Sequence, residues 1–238
     1  MSDAVIEVAD LDARYGLGHV LQGLELRAGR ECVALMGRNG VGKSTLARVL
    51  MGLTPPRADG VVRLLGQDVL GWPPHRIARL GVGYVPQGRR LFPSLTVDEH
   101  LELNRRPGPA GTRWTADAVF ELFPSLGQRR RSYGNQISGG ERSMLAIGRA
   151  LVTNPGCLIL DEPTEGLAPA VVENVAEGLR TLTGEGVAVL LIEQNVKAAA
   201  LAADRAYFMA EGRIVHEAAD KAAMTDDTVL SRYLGVSA

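Results

Sequence analysis

Several kinds of residue and segment are scarce in this sequence, and each shortage limits what the chain can be. Only two residues are cysteine, Cys32 and Cys157, and both lie in apolar runs, so we expect buried thiols in a reducing compartment and no disulfide bond. No apolar run approaches the roughly 18 residues of a membrane-spanning helix. The N-terminus has early acidic residues and is unlike a secretory or transit peptide. We therefore expect a cytoplasmic chain that reaches a membrane only through a partner.

An excess of positive charge is also missing. The formal net charge is −1 and the isoelectric point is near 6.4, so the whole chain has no basic field for nucleic acid or for an anionic membrane. The run Arg129–Arg131 is interpreted as solvated surface. Lysine occurs only at Lys43, Lys197 and Lys221, which gives weight to a lysine inside a motif. With 46% hydrophobic residues, the 238 residues can bury the core of one large domain.

Apolar segments divide the chain into a β-rich part and a helical part. Alternation predicts an antiparallel β layer, and nearly continuous apolar runs predict a mostly parallel sheet. The first set is Val5–Val8, Leu21–Leu26 and Val61–Leu65, and the second is Glu31–Met36, Val82–Val85, Cys157–Leu160 and Val187–Ile192. Glycine and proline interrupt the chain at 105–111, and apolar residues with helical spacing follow at Ala116–Phe123. We predict an α/β fold whose core is formed by 1–88 and 156–238, with a helical subdomain inserted at 89–155.

A glycine-rich loop follows the first predicted buried strand. Its pattern is Gly-x4-Gly-Lys-Ser, with Gly37, Asn39, Gly40, Gly42, Lys43 and Ser44 as the candidate binding residues. Glycines let backbone N–H groups converge on phosphate oxygens, and the N-terminus of the next helix adds positive potential. We expect Lys43 to bind the β- and γ-phosphates of ATP and Ser44 to bind Mg²⁺, with Thr45 as a weaker candidate. A plain turn is the alternative, but the preceding strand favours a P-loop NTPase core.

Two adjacent carboxylates end another predicted strand, Cys157–Leu160. Ligands of parallel sheets collect at the carboxyl ends of the strands, so Asp161 is placed to bind Mg²⁺. Glu162 points in a different direction, because neighbouring side chains of a strand alternate, and it can act as general base on the attacking water. An acidic pair after a strand is often only a polar turn. Beside a phosphate loop, the catalytic interpretation is favoured.

A third motif, Ser138-Gly139-Gly140-Glu141-Arg142, precedes a predicted helix and the carboxylate strand. With the other motifs in this order, it resembles the signature of ABC ATPases, and the resemblance covers almost the whole chain. In that family two subunits enclose two ATP molecules, each bound by the phosphate loop of one chain and the signature of the other. The resemblance implies that Ser138, Gly139 and Gly140 reach the γ-phosphate of ATP held by a partner. The alternative is that these residues only cap a helix.

The same resemblance implies roles for two further residues. Tyr15 would stack on adenine, although an aromatic residue in an edge strand usually serves packing. Gln87, after the strand residues Tyr84 and Val85, would connect Mg²⁺ and the attacking water to the helical region that contacts a partner. Gln87 is therefore a candidate for both nucleotide and metal binding.

Two positions depart from the usual ABC pattern. The switch residue after the last core strand is normally histidine but is Gln194 here, within Glu193-Gln194-Asn195. An amide can hydrogen-bond the γ-phosphate but cannot carry a proton, so catalysis must depend on Glu162. The aspartate expected after the carboxylates is Ala168, which removes one route of coupling between subunits.

These departures also indicate a subgroup. Five segments resemble the ATP-binding subunits of importers for branched-chain amino acids, urea or short-chain amides. They are Glu165–Pro169, Ile192–Asn195, Gln87–Pro93, Met144–Leu151 and the C-terminal Tyr233-Leu234-Gly235. The resemblance implies a homodimer or a heterodimer with a sister ATPase. It also implies membrane permeases, an indirect solute-binding partner and a peripheral position on the cytoplasmic face of the membrane.

Two alternatives come from other classes. A non-transport ABC ATPase that acts on nucleic acid or ribosomes would usually contain coiled coils or two ATPase units, and neither is seen here. No nucleic-acid partner is therefore expected. A nucleotide-binding regulator with weak hydrolysis is suggested by Gln194 and Ala168.

Overall fold

The computed structural model describes residues 4–107 and 113–235, and residues 108–111 of the predicted break lie outside these ranges. The strands are β1 (Ile6–Tyr15), β2 (Gly18–Ala28), β3 (Cys32–Met36), β4 (Arg57–Leu64), β5 (Gln67–Asp68), β6 (Val82–Val85), β7 (Cys157–Asp161), β8 (Ala188–Glu193), β9 (Arg205–Ala210) and β10 (Arg213–Ala218). The helices are α1 (Lys43–Leu50), α2 (Pro74–Leu80), α3 (Val97–Asn104), α4 (Ala116–Leu122), α5 (Pro124–Gly127), α6 (Gly139–Leu151), α7 (Pro169–Gly184), α8 (Val196–Ala202), α9 (Lys221–Met224) and α10 (Asp227–Tyr233).

The first sheet is the predicted antiparallel layer, in the order β2-β1-β4-β5. Its strands extend further than alternation alone predicts, because a bulge interrupts the pattern of β1. The buried residues Ile6 and Val8 are followed by Leu11 and not by position 10. Asp10 has a φ of 47°, and this extra residue returns the apolar side chains to the covered face.

The second sheet is mostly parallel and has the order β10-β9-β3-β8-β7-β6. Only the pair formed by β9 and β10 is antiparallel, and neither of these strands is predicted from the sequence pattern. Successive residues of β3 point to two hydrophobic clusters. Cys32 and Ala34 face the cluster that contains the helices of the middle region, whereas Val33 and Leu35 face the antiparallel layer. The predicted α/β class with its β layer is confirmed.

Helices α3 to α6 occupy the middle of the chain and share a core with the parallel sheet. Leu101 of α3, Leu145 of α6 and Leu191 of β8 belong to one buried cluster. Because these helices have no core of their own, the proposed boundaries of an insert at 89–155 remain a proposal.

Both cysteines are free and buried, as predicted. Burial raises the pKa of the Cys157 thiol to about 12, so this side chain stays neutral and serves packing. Among the described residues, no helix combines the length and the apolar character needed to cross a bilayer.

Candidate nucleotide-binding site

The phosphate loop connects β3 to α1, and its shape requires glycine at two positions. Gly42 has a φ of 115°, and a Cβ there would lie 2.8 Å from Met209 Cε and 2.9 Å from Leu21 Cδ2. A Cβ at Gly37 would lie 2.5 Å from the carbonyl oxygen of Met209. Any larger residue would therefore push the loop away from β9 or strain its backbone.

Lys43 is held inside this loop. Its side chain is 4% exposed, and Nζ donates to the carbonyl oxygens of Gly37 at 2.8 Å and Arg38 at 3.1 Å. Nζ also lies 3.4 Å from Glu162 Oε1. A buried ammonium group with fixed partners provides a positive charge at a defined position, as the binding of a polyphosphate requires.

Ser44 and Asp161 meet at the carboxyl end of β7. Ser44 Oγ donates to Asp161 Oδ1 at 3.2 Å, and Asp161 is 2% exposed. Burial raises the pKa of the Asp161 carboxyl above its ordinary value, and the bond from Ser44 opposes this effect. A hydroxyl and a carboxylate side by side supply the oxygen ligands that Mg²⁺ prefers, so these residues fit the predicted ion.

Glu162 and Gln87 face each other across the same edge of the sheet. Gln87 Nε2 donates to Glu162 Oε2 at 3.0 Å and to Glu165 Oε2 at 3.2 Å. Glu162 has a φ of 51°, which turns its side chain away from the direction of Asp161. The loop after β6 is therefore connected to the loop after β7.

Most of these groups line a cavity of about 490 Å³. The lining residues are Val20, Asn39, Gly40, Gly42, Lys43, Ser44, Thr45, Gln87, Glu162 and Glu165. Seven of them are residues that the sequence predicts to bind nucleotide or metal, and Glu162 is the predicted base. The sequence patterns predict no role for Val20 or Glu165. Glu165 could have been identified from the sequence, because it lies in the polar turn after the carboxylate pair. Val20 could not, because it is one apolar residue among several in a strand.

Several predicted residues are not part of the cavity lining. Gly37 and Asp161 are hydrogen-bonded to the lining residues Lys43 and Ser44, and the signature residues are described below. Tyr15 and Gln194 lie elsewhere. Tyr15 ends β1 and is 37% exposed, and Gln194 is exposed directly after β8. The backbone N–H of Gln194 donates to Glu193 Oε2 at 3.2 Å. Their predicted contacts with adenine and the γ-phosphate remain proposals.

Glu193 is a buried carboxylate to which the sequence analysis gave no role. Oε1 accepts from the backbone N–H and the hydroxyl of Thr164 at 3.1 and 2.6 Å, and Oε2 accepts from the N–H groups of Gln194 and Asn195. Burial raises the pKa of Glu193, and these four bonds oppose the increase. Glu193 thus connects the segment after Glu162 to the switch position.

The signature residues begin helix α6. Ser138 Oγ accepts from the N–H of Glu141 at 3.2 Å, and Glu141 Oε2 accepts from the N–H of Ser138 at 2.7 Å. This is a capping box, so Ser138 does cap its own helix. Gly140 is needed for packing, because a Cβ there would lie 2.5 Å from Val171 Cγ1. Gly139 has room, with no neighbouring atom closer than 3.8 Å to an added Cβ.

Comparison with known proteins gives the family. Residues 22–165 match the sequence profile of the ABC transporter family. BraG of Pseudomonas aeruginosa, a high-affinity branched-chain amino acid transport ATP-binding protein, is 43% identical over 89% of this chain and 91% of its own. LptB of Haemophilus influenzae, the ATP-binding protein of a lipopolysaccharide export system, is 35% identical over 86% of each chain.

Solved structures agree with this assignment. A nucleotide-free ATP-binding cassette from an ABC transporter superposes with a TM-score of 0.83 at 22% identity, over 99% of this chain and 100% of that one. A dimeric bacterial ABC transporter cassette superposes with a TM-score of 0.75 at 25% identity, over 89% of this chain and 97% of that one. The chain therefore belongs to the ABC transporter family, as one of its ATP-binding cassettes with ATPase activity.

Proposed function

We propose that this chain is the ATP-hydrolysing subunit of an importer for branched-chain amino acids. The observation that carries the proposal is the 43% identity to BraG over nearly the full length of both chains, compared with 35% to the lipopolysaccharide export protein. Urea and short-chain amides are alternative solutes, on the motif resemblance alone.

The cavity beside the phosphate loop binds the phosphates of ATP. Lys43 contacts the β- and γ-phosphates, and backbone N–H groups of residues 37–45 contact the remaining oxygens. Ser44 and Asp161 hold Mg²⁺, with Gln87 nearby, and the bound ion neutralises phosphate charge. Tyr15 stacks on the adenine ring.

Hydrolysis depends on Glu162. Its carboxylate accepts a proton from the attacking water, and the bond from Gln87 Nε2 fixes one of its two oxygens. Gln194 donates a hydrogen bond to the γ-phosphate through its amide. Because an amide does not take up a proton at ordinary pH, Glu162 is the proton acceptor.

A second ATPase subunit completes each site. This partner is another copy of the chain, whose Ser138, Gly139 and Gly140 bind the γ-phosphate from the opposite side, or a sister chain whose own signature does so. ATP then favours the closed pair because it contacts both chains, and release of phosphate removes that preference. The pair works at the cytoplasmic face of the membrane with permease subunits, and indirectly with a solute-binding protein.

Uptake by cells tests this proposal. Cells that lack the chain are compared with cells complemented by the wild type or by Glu162→Gln, using radiolabelled leucine, urea and acetamide as probes. We expect only leucine uptake to be lost and to return only with the wild type. Unchanged leucine uptake together with lost urea or acetamide uptake would reassign the solute, and no change with any probe would contradict an import role for these solutes.

Each rival function can be tested by a separate measurement. A regulator with weak hydrolysis would release little phosphate even with its native permeases present. A non-transport ATPase would retain its activity without membrane partners and would copurify with nucleic acid or ribosomes, which the net charge of −1 does not favour.

A further inference from the structure

The last helix of the described chain ends beside the phosphate loop. Arg38, in the loop itself, donates from Nε to the carbonyl oxygen of Leu234 at 2.9 Å. Leu234 belongs to the C-terminal Tyr233-Leu234-Gly235, which has no role in the mechanism above. We call these three residues the C-terminal clasp.

Each residue of the C-terminal clasp has a distinct contact. The ring of Tyr233 stacks on that of His216, with centroids 5.5 Å apart and an interplanar angle of 18°. The side chain of Leu234 is buried in the same cluster as β8 and α6. Gly235 donates its N–H to the carbonyl of Leu230 at 3.0 Å and has a φ of 72°. The clasp is therefore anchored to β10 and to the core.

The guanidinium group of Arg38 lies directly against Gly235, in space that any added side-chain atom would take, so a larger residue there would displace Arg38 from this position. A Cβ at Gly235 would overlap Nη2 of Arg38 and would lie 2.8 Å from its Cζ. Glycine therefore meets two requirements at this position. It leaves space for the guanidinium group of Arg38, and it adopts the positive φ with which α10 ends.

The other end of Arg38 is connected to the nucleotide site. Its backbone carbonyl accepts from Lys43 Nζ at 3.1 Å, and Gly37 beside it accepts from the same ammonium group at 2.8 Å. We propose that the C-terminal clasp positions Arg38, and through it the phosphate loop and Lys43, so that affinity for ATP depends on the end of α10. Arg38 and Gly235 are positioning residues in this proposal, which goes beyond the proposed function and holds for any transported solute.

The test compares two glycine substitutions with similar backbone strain. Gly235→Ala introduces the overlap with Arg38, whereas Gly66→Ala has a similar φ of 77° and no atom within 4 Å of the added Cβ. We expect Gly235→Ala to raise the dissociation constant of a fluorescent ATP analogue about 3- to 10-fold, the effect of one lost hydrogen bond of ordinary strength. Gly66→Ala should leave it unchanged. Equal dissociation constants in Gly235→Ala and wild type, or the same increase in Gly66→Ala, would overturn the proposal.

A double-mutant cycle excludes a general loss of structure. Arg38→Ala removes the same bond from an exposed side chain, so it should weaken binding in the same direction, and combining it with Gly235→Ala should add little. Arg38→Lys should not restore affinity, because an ammonium group cannot reproduce the planar fit on Gly235. Additive effects of the two substitutions, or full affinity in Arg38→Ala, would show that the clasp does not act through Arg38. Thermal unfolding of each variant without nucleotide reports stability separately.

Discussion

Glu162 has contacts on two sides that allow its role as a base to be separated from its role in structure. Lys43 Nζ lies 3.4 Å from one carboxylate oxygen, and Gln87 Nε2 donates to the other at 3.0 Å. In Glu162→Gln the amide oxygen can still accept from Gln87, but the variant cannot accept a proton from water. We expect ATP binding to persist, phosphate release to fall by about 10²- to 10⁴-fold, and an ATP-bound dimer to accumulate.

Phosphate release and light scattering with ATP measure these effects. Glu173→Gln is the control, because Glu173 is an exposed acid on α7, outside the cavity. Turnover near the wild-type rate in Glu162→Gln would show that another group accepts the proton.

The buried side chain of His100 should make the stability of the folded chain depend on pH. This residue is buried, with Nδ1 2.7 Å from the carbonyl oxygen of Thr96 and Nε2 2.9 Å from the N–H of Phe92. A neutral ring with its proton on Nδ1 satisfies both partners. Burial lowers the pKa of His100, and Arg149 lowers it further, while the Thr96 carbonyl and Glu99 oppose the shift.

The sign of the effect follows from proton uptake. Below about pH 6.5 the unfolded chain binds the proton before the folded chain does, so the free energy of unfolding falls as the pH decreases toward the lowered folded pKa. We expect His100→Gln to be less stable at neutral pH but to show a smaller loss on acidification. Urea unfolding at several pH values measures this slope, with exposed His75→Gln as the control. An unchanged slope in His100→Gln would show that His100 is not responsible.

At the scale of elements, Arg89 connects three segments that surround the nucleotide site. Its Nε donates to Ser143 Oγ of α6 at 2.6 Å, and its Nη2 donates to the carbonyl of Glu165 at 2.8 Å. Its own carbonyl accepts from Arg149 at 3.2 Å. The loop after β6 is thus connected to the signature helix and to the loop after β7.

Loss of this connection should affect turnover more than ATP binding. The Arg89→Ala variant lacks the hydrogen bonds that hold Gln87 and Glu162 at a fixed position relative to α6. The contacts within the phosphate loop remain. We expect kcat to fall about 3- to 10-fold and KM for ATP to change by less than about 2-fold.

A matched variant separates this effect from general destabilisation. Arg180→Ala removes an arginine bond to the Leu201 carbonyl, away from the cavity, and should leave kcat unchanged. If KM alone changed in Arg89→Ala, the connection would serve binding and not turnover.

The elements differ in how far the sequence predicts them. Strand β3, the phosphate loop and Asp161 could be placed because each combines a short apolar run with a motif whose chemistry requires those residues. Strand β1 extends beyond its predicted end because the bulge at Asp10 breaks the alternation. The contacts of Arg38 and Arg89 could not be predicted, since each joins residues far apart in sequence through a flexible side chain.

At the scale of the whole molecule, the position of the signature motif decides how many chains form one site. Ser138, Gly139 and Gly140 begin α6 and are not among the residues that line the cavity with Lys43. A signature that serves the same chain would need to come into contact with this cavity, which it does not line in the structure. A signature that serves a partner needs only a two-fold arrangement of cassettes.

Mixing two defective variants distinguishes these possibilities. Lys43→Ala removes the phosphate-binding ammonium group, and Gly139→Asp places a negative charge at the start of α6, where an added Cβ meets no atom closer than 3.8 Å. Each variant alone should release little phosphate. In an equal mixture, half of the dimers contain both variants, and one of their two sites combines an intact phosphate loop with an intact signature. We therefore expect about a quarter of the wild-type activity to return if the sites act independently. Wild-type chain assayed alone under the same conditions shows whether identical copies pair, and an active wild type with no recovery in the mixture would contradict a site shared between chains.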